Sequence, residues 1–197
     1  WLPHAHDPLA YSKGFFNIKT NSWQDAEIQK KYDVCFIGNL NDENRVRHLD
    51  RLFKEFPDNF YWGNERFHEA SEIFNKSKIV FNVSARKELN MRHFEALGAG
   101  AFLLTDNIPL SENVFREGIH FAGYDNMDEM IEKAHYFLDH EDEREKIAMA
   151  GHLEVLACHT YLHRVMTVLD QIGVDYDRVA AQQHLPQVCD EVAVGVS

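Results

Sequence analysis

A doubly wound parallel α/β sheet is the fold class this sequence predicts, and three observations predict it. Apolar runs of strand length occur at 33–38, 78–82 and 101–105. Between them apolar residues recur at helical spacing, and beyond Asn126 the pattern is helical throughout. Strands separated by helices of this length run parallel through right-handed crossovers, and such sheets take ligands at the carboxyl ends of their strands.

Taken in order, Asp33-Val-Cys-Phe-Ile-Gly38 reads as a strand ended by glycine. Val46, Leu49, Leu52, Phe53 and Phe56 then mark the apolar side of a helix that Pro57 stops. Phe60-Tyr-Trp62 ends at Gly63, residues 67–75 read as a helix, and Lys78-Ile-Val-Phe-Asn82 reads as a strand buried on both faces. Asn90 to Leu97 puts Met91, Phe94 and Leu97 on one side of a short helix. Gly98 and Gly100 break it and serve the turn into the strand Ala101-Phe-Leu-Leu-Thr105. A short helix is expected near Ser111 to Phe115 and a strand from Ile119 to Tyr124. Three C-terminal helices follow: one marked by Met127, Met130, Ile131, Ala134 and Phe137, one opened by the charged stretch 141–146, and one marked by Tyr161, Leu162, Val165, Met166 and Leu169. Residues 1–172 are therefore expected to form the domain and 173–197, which lose periodicity, a loosely attached tail.

Composition narrows the function. The 197 residues, 45% of them apolar, suffice for one buried core. A balance of 20 Lys and Arg against 32 Asp and Glu argues against nucleic acid and anionic membranes as partners. An anionic small ligand needs only a few placed cations. No apolar run is long enough to span a membrane, and no signal-peptide pattern opens the chain. The three cysteines, Cys35, Cys158 and Cys189, are odd in number and widely spaced. They read as buried thiols in a reducing cytoplasm rather than a disulfide framework. The start at Trp1 instead of methionine suggests a piece of something larger.

Of the loops that follow strands, Ser84-Ala-Arg-Lys-Glu-Leu-Asn90 carries most chemistry. It feeds a helix whose first turn holds Asn90, Met91 and Arg92, and a helix start suits phosphate, with Arg92 or Arg86 adding a charge-assisted contact. Glu95, three residues past Arg92, is wrong for phosphate but suited to the hydroxyls of a sugar. The competing reading is an exposed Arg92–Glu95 pair with no ligand. Gly38 permits close approach of a ligand, with Arg45 and Arg47 reaching from the following helix toward an anion. Neither a G-x-G-x-x-G fingerprint nor a P-loop is present. The pairs His4/His6 and His159/His163 lack a completing ligand nearby and read as structural or surface residues, so no metal is expected. Asp106, after a strand, reads as a turn residue before a phosphoacceptor or catalytic acid.

Asn90-Met-Arg-His-Phe-Glu-Ala-Leu-Gly-Ala-Gly100 followed by Phe102-Leu-Leu-Thr-Asp106 resembles the C-terminal half of CgeB-like glycosyltransferases, within the broader group-1 GT-B class. The resemblance extends in order through Trp1-Leu-Pro3, Asp7-Pro8, Tyr32-Asp-Val-Cys-Phe-Ile-Gly-Asn39, Ser77-Lys78-Ile79, Asn82 and His159-Thr-Tyr161 to Arg164. It implies a Rossmann-like donor domain that binds a nucleotide-diphosphate sugar as substrate, with UDP among the candidate nucleotides. Glu95 would hold the ribose, Asn90 to Arg92 would face the diphosphate, and Gly38-Asn39 would line the phosphate side. It implies a transfer that needs neither metal nor cofactor, and an acceptor domain earlier in the chain. That domain is missing here, so this half is expected to be inactive alone. The acidic residue that many retaining members carry eight positions before the ribose-binding one is Lys87 here, with Glu88 one out of register, which leaves retention or inversion open. Two other functions compete: a nucleotide or nucleotide-sugar sensor that has lost the chemistry, favoured by the absent acceptor half, and a receiver-like domain using Asp106, opposed by the lack of an acidic cluster after the first strand.

Overall fold

The computed structural model describes residues 2–17, 20, 22–24, 28–109 and 114–183. Two short strands, β1 (Phe15–Asn17) and β2 (Ser22–Gln24), pair antiparallel ahead of the main sheet. Three residues apiece are too few to display alternation, and the sequence reading has no element there. The main sheet begins with β3 (Tyr32–Ile37), continues through α1 (Glu43–Glu55) to β4 (Phe60–Gly63), and through α2 (Phe67–Asn75) to β5 (Ser77–Asn82). It then passes through α3 (Met91–Gly98) to β6 (Leu103–Asp106) and on to β7 (Ala122–Tyr124). All neighbouring pairs are parallel, in the order β4-β3-β5-β6-β7. The fold is thus the Rossmann-like α/β class that the alternation predicts. The chain leaves β3 for one edge and returns on its other side, so the winding reverses between β3 and β5, where a doubly wound sheet opens a crevice.

Successive side chains of each strand enter opposite cores. Val34, Phe36, Ile79, Phe81, Phe102 and Leu104 pack with Leu49 and Leu52 of α1 and with Met130, Ala134 and Phe137 of α4 (Met127–Asp139). Cys35, Ile37, Val80 and Leu103 pack with Phe74 of α2, Phe94 and Leu97 of α3, and Val155 of α5 (Glu141–Cys158). Burial on both faces is why β3, β5 and β6 read as continuous apolar runs.

Several expectations are corrected. Val46 and Phe53, on the apolar side of α1, are 41% and 55% exposed and line, with Leu40, Phe60 and Trp62, a groove of about 380 Å³ beside β4. The reason is that β4 is the sheet edge, so among the described residues no further strand pairs on that flank. The strand expected from Ile119 is shorter, because Ile119 and His120 turn back to bond the Arg116 carbonyl. The short helix expected near 111–115 lies mostly outside the described residues. The charged opening of α5 hides one fully buried cation: Arg144 donates to the Phe137 carbonyl at 2.7 Å and so caps the end of α4. α6 (Tyr161–Ile172) buries only Met166 of its apolar side, and Gly173 ends it in the left-handed conformation. The stretch read as a tail contains α7 (Arg178–Gln183), tied back by Arg178 to Asp170. Cys35 is buried, which pushes its thiol up to about 12, whereas Cys158 is exposed and Cys189 lies outside the described residues. Among the described residues no helix is long and apolar enough to cross a membrane.

The N-terminal segment runs against α3. His6 exchanges backbone hydrogen bonds with His159 and Tyr161, and Arg164 holds the Pro3 and His4 carbonyls. Gly98 allows the approach: a Cβ there would stand 2.1 Å from the His6 ring. This close packing adds to its place at the helix end.

Candidate functional site

The carboxyl ends of β3, β4 and β5 surround one cleft of about 520 Å³, a volume suited to a small ligand. It lies at the reversal point between β3 and β5. Of the residues singled out from the sequence, Gly38, Asn39, Asn90, Met91, Arg92 and Glu95 line it, whereas Arg47, Ser84 and Arg86 do not.

The helix start is built from two asparagines. Asn90 caps α3 by accepting from the Arg92 amide at 3.1 Å, and its side chain also pairs with that of Asn82 at the end of β5. Asn82 is itself held by Thr105 at 2.9 Å. The first turn of α3 is thereby pinned over the strand end, with its positive dipole end toward the cleft. His93 sits beneath that turn, and burial pushes its pKa down to about 4.

Arg92 and Glu95 form the pair their spacing allows, at 2.7 Å, but it is not the exposed pair of the ligand-free reading. The two side chains are 16% and 13% exposed at the cleft floor. Arg92 spends its second arm on the Ile37 carbonyl at 2.6 Å and stacks 5.1 Å over Phe74, so it braces the end of β3. Arg45 also lines the cleft and bonds the Asn39 carbonyl at 3.0 Å and the Asn39 side chain at 3.1 Å. Arg47 is exposed on the other side of α1. Two residues along a helix amounts to about 200° of rotation, so only one of the two arginines can face the cleft. The cap at Asp42, which accepts from the Arg45 amide at 2.8 Å, determines which.

Ser84 is buried with Asp106, bonding its carboxylate through both amide and hydroxyl, and Arg86 is exposed at the loop tip. Lys87 turns away from the cleft to Asp106 at 3.1 Å. The Asp106 carboxylate is 2% exposed and occupied by these partners, which makes it a loop anchor instead of a phosphoacceptor.

Sequence reasoning missed one wall altogether. Asn64, Glu65, Arg66 and Phe67 follow β4 and line the cleft opposite α3. The signal was available, since Gly63 closes a strand whose next loop must share that edge. Phe67 has φ of 53°, a strained conformation for a bulky residue. Tyr11, which also lines the cleft, had no local signal. The histidine pairs lie away from it. Burial pushes His6 down to about 3, and His163 completes the cap of α6 with Thr160. Among the described residues no group of three or more His, Cys, Asp or Glu is placed to hold a metal ion.

Comparison with solved structures matches this architecture. Sucrose-phosphate synthase from Thermosynechococcus elongatus aligns with a TM-score of 0.60 at 11% identity, over 87% of this chain and 51% of that one. Anabaena HepE in complex with UDP-glucose aligns with a TM-score of 0.54 at 8% identity, over 71% of this chain and 40% of that one. The C-terminal domain of a glycosyl transferase group 1 family protein (LpcC) from Francisella tularensis aligns with a TM-score of 0.52 at 14% identity, over 77% of this chain and 96% of that one. The chain thus spans 40% and 51% of the two longer proteins. Comparison with curated proteins found no match. Residues 24–170 match the family described as glycosyl transferase-like.

Proposed function

Since the chain belongs to the glycosyl transferase-like family, we propose that it is the donor-binding domain of a glycosyltransferase moving a sugar from a nucleotide-diphosphate sugar to an acceptor hydroxyl. The observation that carries this reading is the cleft between the ends of β3 and β5, where the start of α3, Arg45 and Glu95 converge. The diphosphate lies at the α3 start and Arg45, and the ribose hydroxyls donate to the Glu95 carboxylate. When an acceptor hydroxyl attacks C1 of the sugar, the bond from C1 to the diphosphate oxygen breaks and its electron pair leaves with the diphosphate. Arg45 and the helix dipole stabilise that charge, the chemistry of a metal-independent transfer without a cofactor. The acceptor proton goes to a base outside this chain, on an acceptor domain that the half-length overlap with the longer proteins supports.

The segment from Asn90 to Gly100 supports a place in the CgeB-like branch, and the free thiols Cys35 and Cys158 support a cytoplasmic setting. UDP is the first nucleotide to test, because HepE was solved with UDP-glucose. Calorimetric titration of the chain with UDP, GDP and their sugar conjugates decides. Binding at micromolar to millimolar Kd, abolished by Glu95→Ala, is the expected result. A chain that binds these ligands equally well without Glu95 would overturn this placement.

A further inference from the structure

Three nitrogens converge on the side-chain oxygen of Asn90, the cap of α3. The Arg92 amide lies 3.1 Å from it, the Asn82 amino group 3.5 Å and His93 Nδ1 3.2 Å. The backbone amide decides the chemistry of this cluster. It can only donate, so the Asn90 atom in front of it is oxygen, and the Asn90 amino group points the other way, onto the Asn82 oxygen at 3.3 Å. His93 Nδ1 faces the same oxygen and must therefore carry a hydrogen. Burial lowers the pKa of the ring to about 4, so at physiological pH it is neutral and Nε2 has only a lone pair. Nε2 is buried and finds no partner among the described residues, and the whole ring is buried in an edge-to-face contact with Phe121 at 6.2 Å. A side chain that served packing alone would be apolar here, since that avoids the desolvation of an unpartnered nitrogen. What histidine adds is the Nδ1 hydrogen.

We propose that His93 is a positioning residue of the donor site, its Nδ1 hydrogen fixing the direction of the Asn90 amide and with it the first turn of α3 at the cleft. So directed, Asn90 gives its oxygen to the helix and its amino group to Asn82, whose own amino group goes on to Thr105 at 2.9 Å. Turned over, Asn90 would set its amino group against the Arg92 amide and the His93 hydrogen, and its oxygen against the Asn82 oxygen. His93 thus penalises the reversed amide from inside the core, where no ligand reaches. Asn90 and Met91 line the cleft, and a cap with one direction presents the helix start to a diphosphate with no ordering cost on binding.

The inference rests on the donor-site reading, and the test separates the two. Two replacements part the hydrogen from the volume. Asn sets its amide nitrogen close to the place of Nδ1 but is smaller than the ring, whereas Gln comes nearer to the ring in volume and carries its amide past that point, toward the place of Nε2. Kd for UDP and GDP is measured by calorimetry for wild type, His93→Asn and His93→Gln, with thermal midpoints alongside. The tautomer of His93 in the wild-type chain is read from imidazole nitrogen shifts by NMR at pH 7. The expected result is an Nδ1–H tautomer, nucleotide binding about fivefold weaker in His93→Gln, as for one lost neutral hydrogen bond, and binding within about twofold of wild type in His93→Asn even where its midpoint is the lower of the two. Affinities that are equal in the two variants, or that follow the thermal midpoints, would overturn the positioning role and leave the donor site standing. An Nε2–H tautomer would overturn it as well, whether or not either variant folds. A wild-type chain that binds neither nucleotide overturns the donor reading and this inference with it.

Discussion

Ser84 and Asp106 are joined twice, the Ser84 amide donating to Oδ1 at 2.8 Å and its hydroxyl to Oδ2 at 2.6 Å, with both residues buried. This pair of hydrogen bonds ties the loop after β5 to the end of β6. In Asp106→Asn one donor faces another, which should cost about 2–3 kcal/mol of stability in urea unfolding and speed proteolysis between 84 and 90. Asp106 should also take no label from a phosphoryl donor. A labelled Asp106 would restore the receiver-like reading.

Arg45 and Arg47 should separate cleanly in binding. Loss of a charge-assisted contact corresponds to about 10–100-fold in affinity, so Arg45→Ala should weaken UDP by that order while Arg47→Ala stays within about twofold of wild type. Equal effects in calorimetry would show that Arg45 acts only through net charge.

Gly151 lies inside α5, where alanine ordinarily gains about 1 kcal/mol over glycine. Here a Cβ would stand 2.5 Å from the His120 carbonyl oxygen and 2.8 Å from Leu97 Cδ2. Gly151→Ala is therefore expected to destabilise by about 1–3 kcal/mol, because backbone must shift to admit the methyl group. A raised thermal midpoint would show that α3 and α5 part more easily than this packing implies.

Acid should destabilise the fold in a defined window. Burial lowers His6 to about 3 and His93 to about 4, whereas in the unfolded chain each protonates near pH 6.5. Between those values the unfolded chain binds more protons, so stability falls as pH drops below about 6.5 and is level above it with respect to these two groups. Each contributes up to about 1.4 kcal/mol per pH unit. Unfolding free energies from pH 7 to 5 should show this slope, and His93→Gln should remove about half of what the pair contributes. An unchanged slope would mean that His93 protonates freely in the folded state.

Local pattern carried the elements of this protein. β3, β5 and β6 are legible because strands buried on both faces carry consecutive apolar residues instead of an alternation, and the start of α3 because Asn90 stands where a cap is needed. With the winding direction of parallel strands, those elements place a cleft at the ends of β3 and β5 and name part of its lining. The sequence thereby determined the fold class, the position of the cleft and the presence of Arg92 and Glu95 in its lining. It could not say that Val46 and Phe53 lie uncovered, because periodicity marks an apolar side but not what packs on it. Nor could it choose Arg45 over Arg47, since that depends on the helix phase set by Asp42. Only the tertiary structure brought Tyr11 into the cleft and turned Arg92 inward to Ile37. Such contacts join positions far apart in the chain and obey no local period; they exist because the segments that carry them are packed in place by everything between.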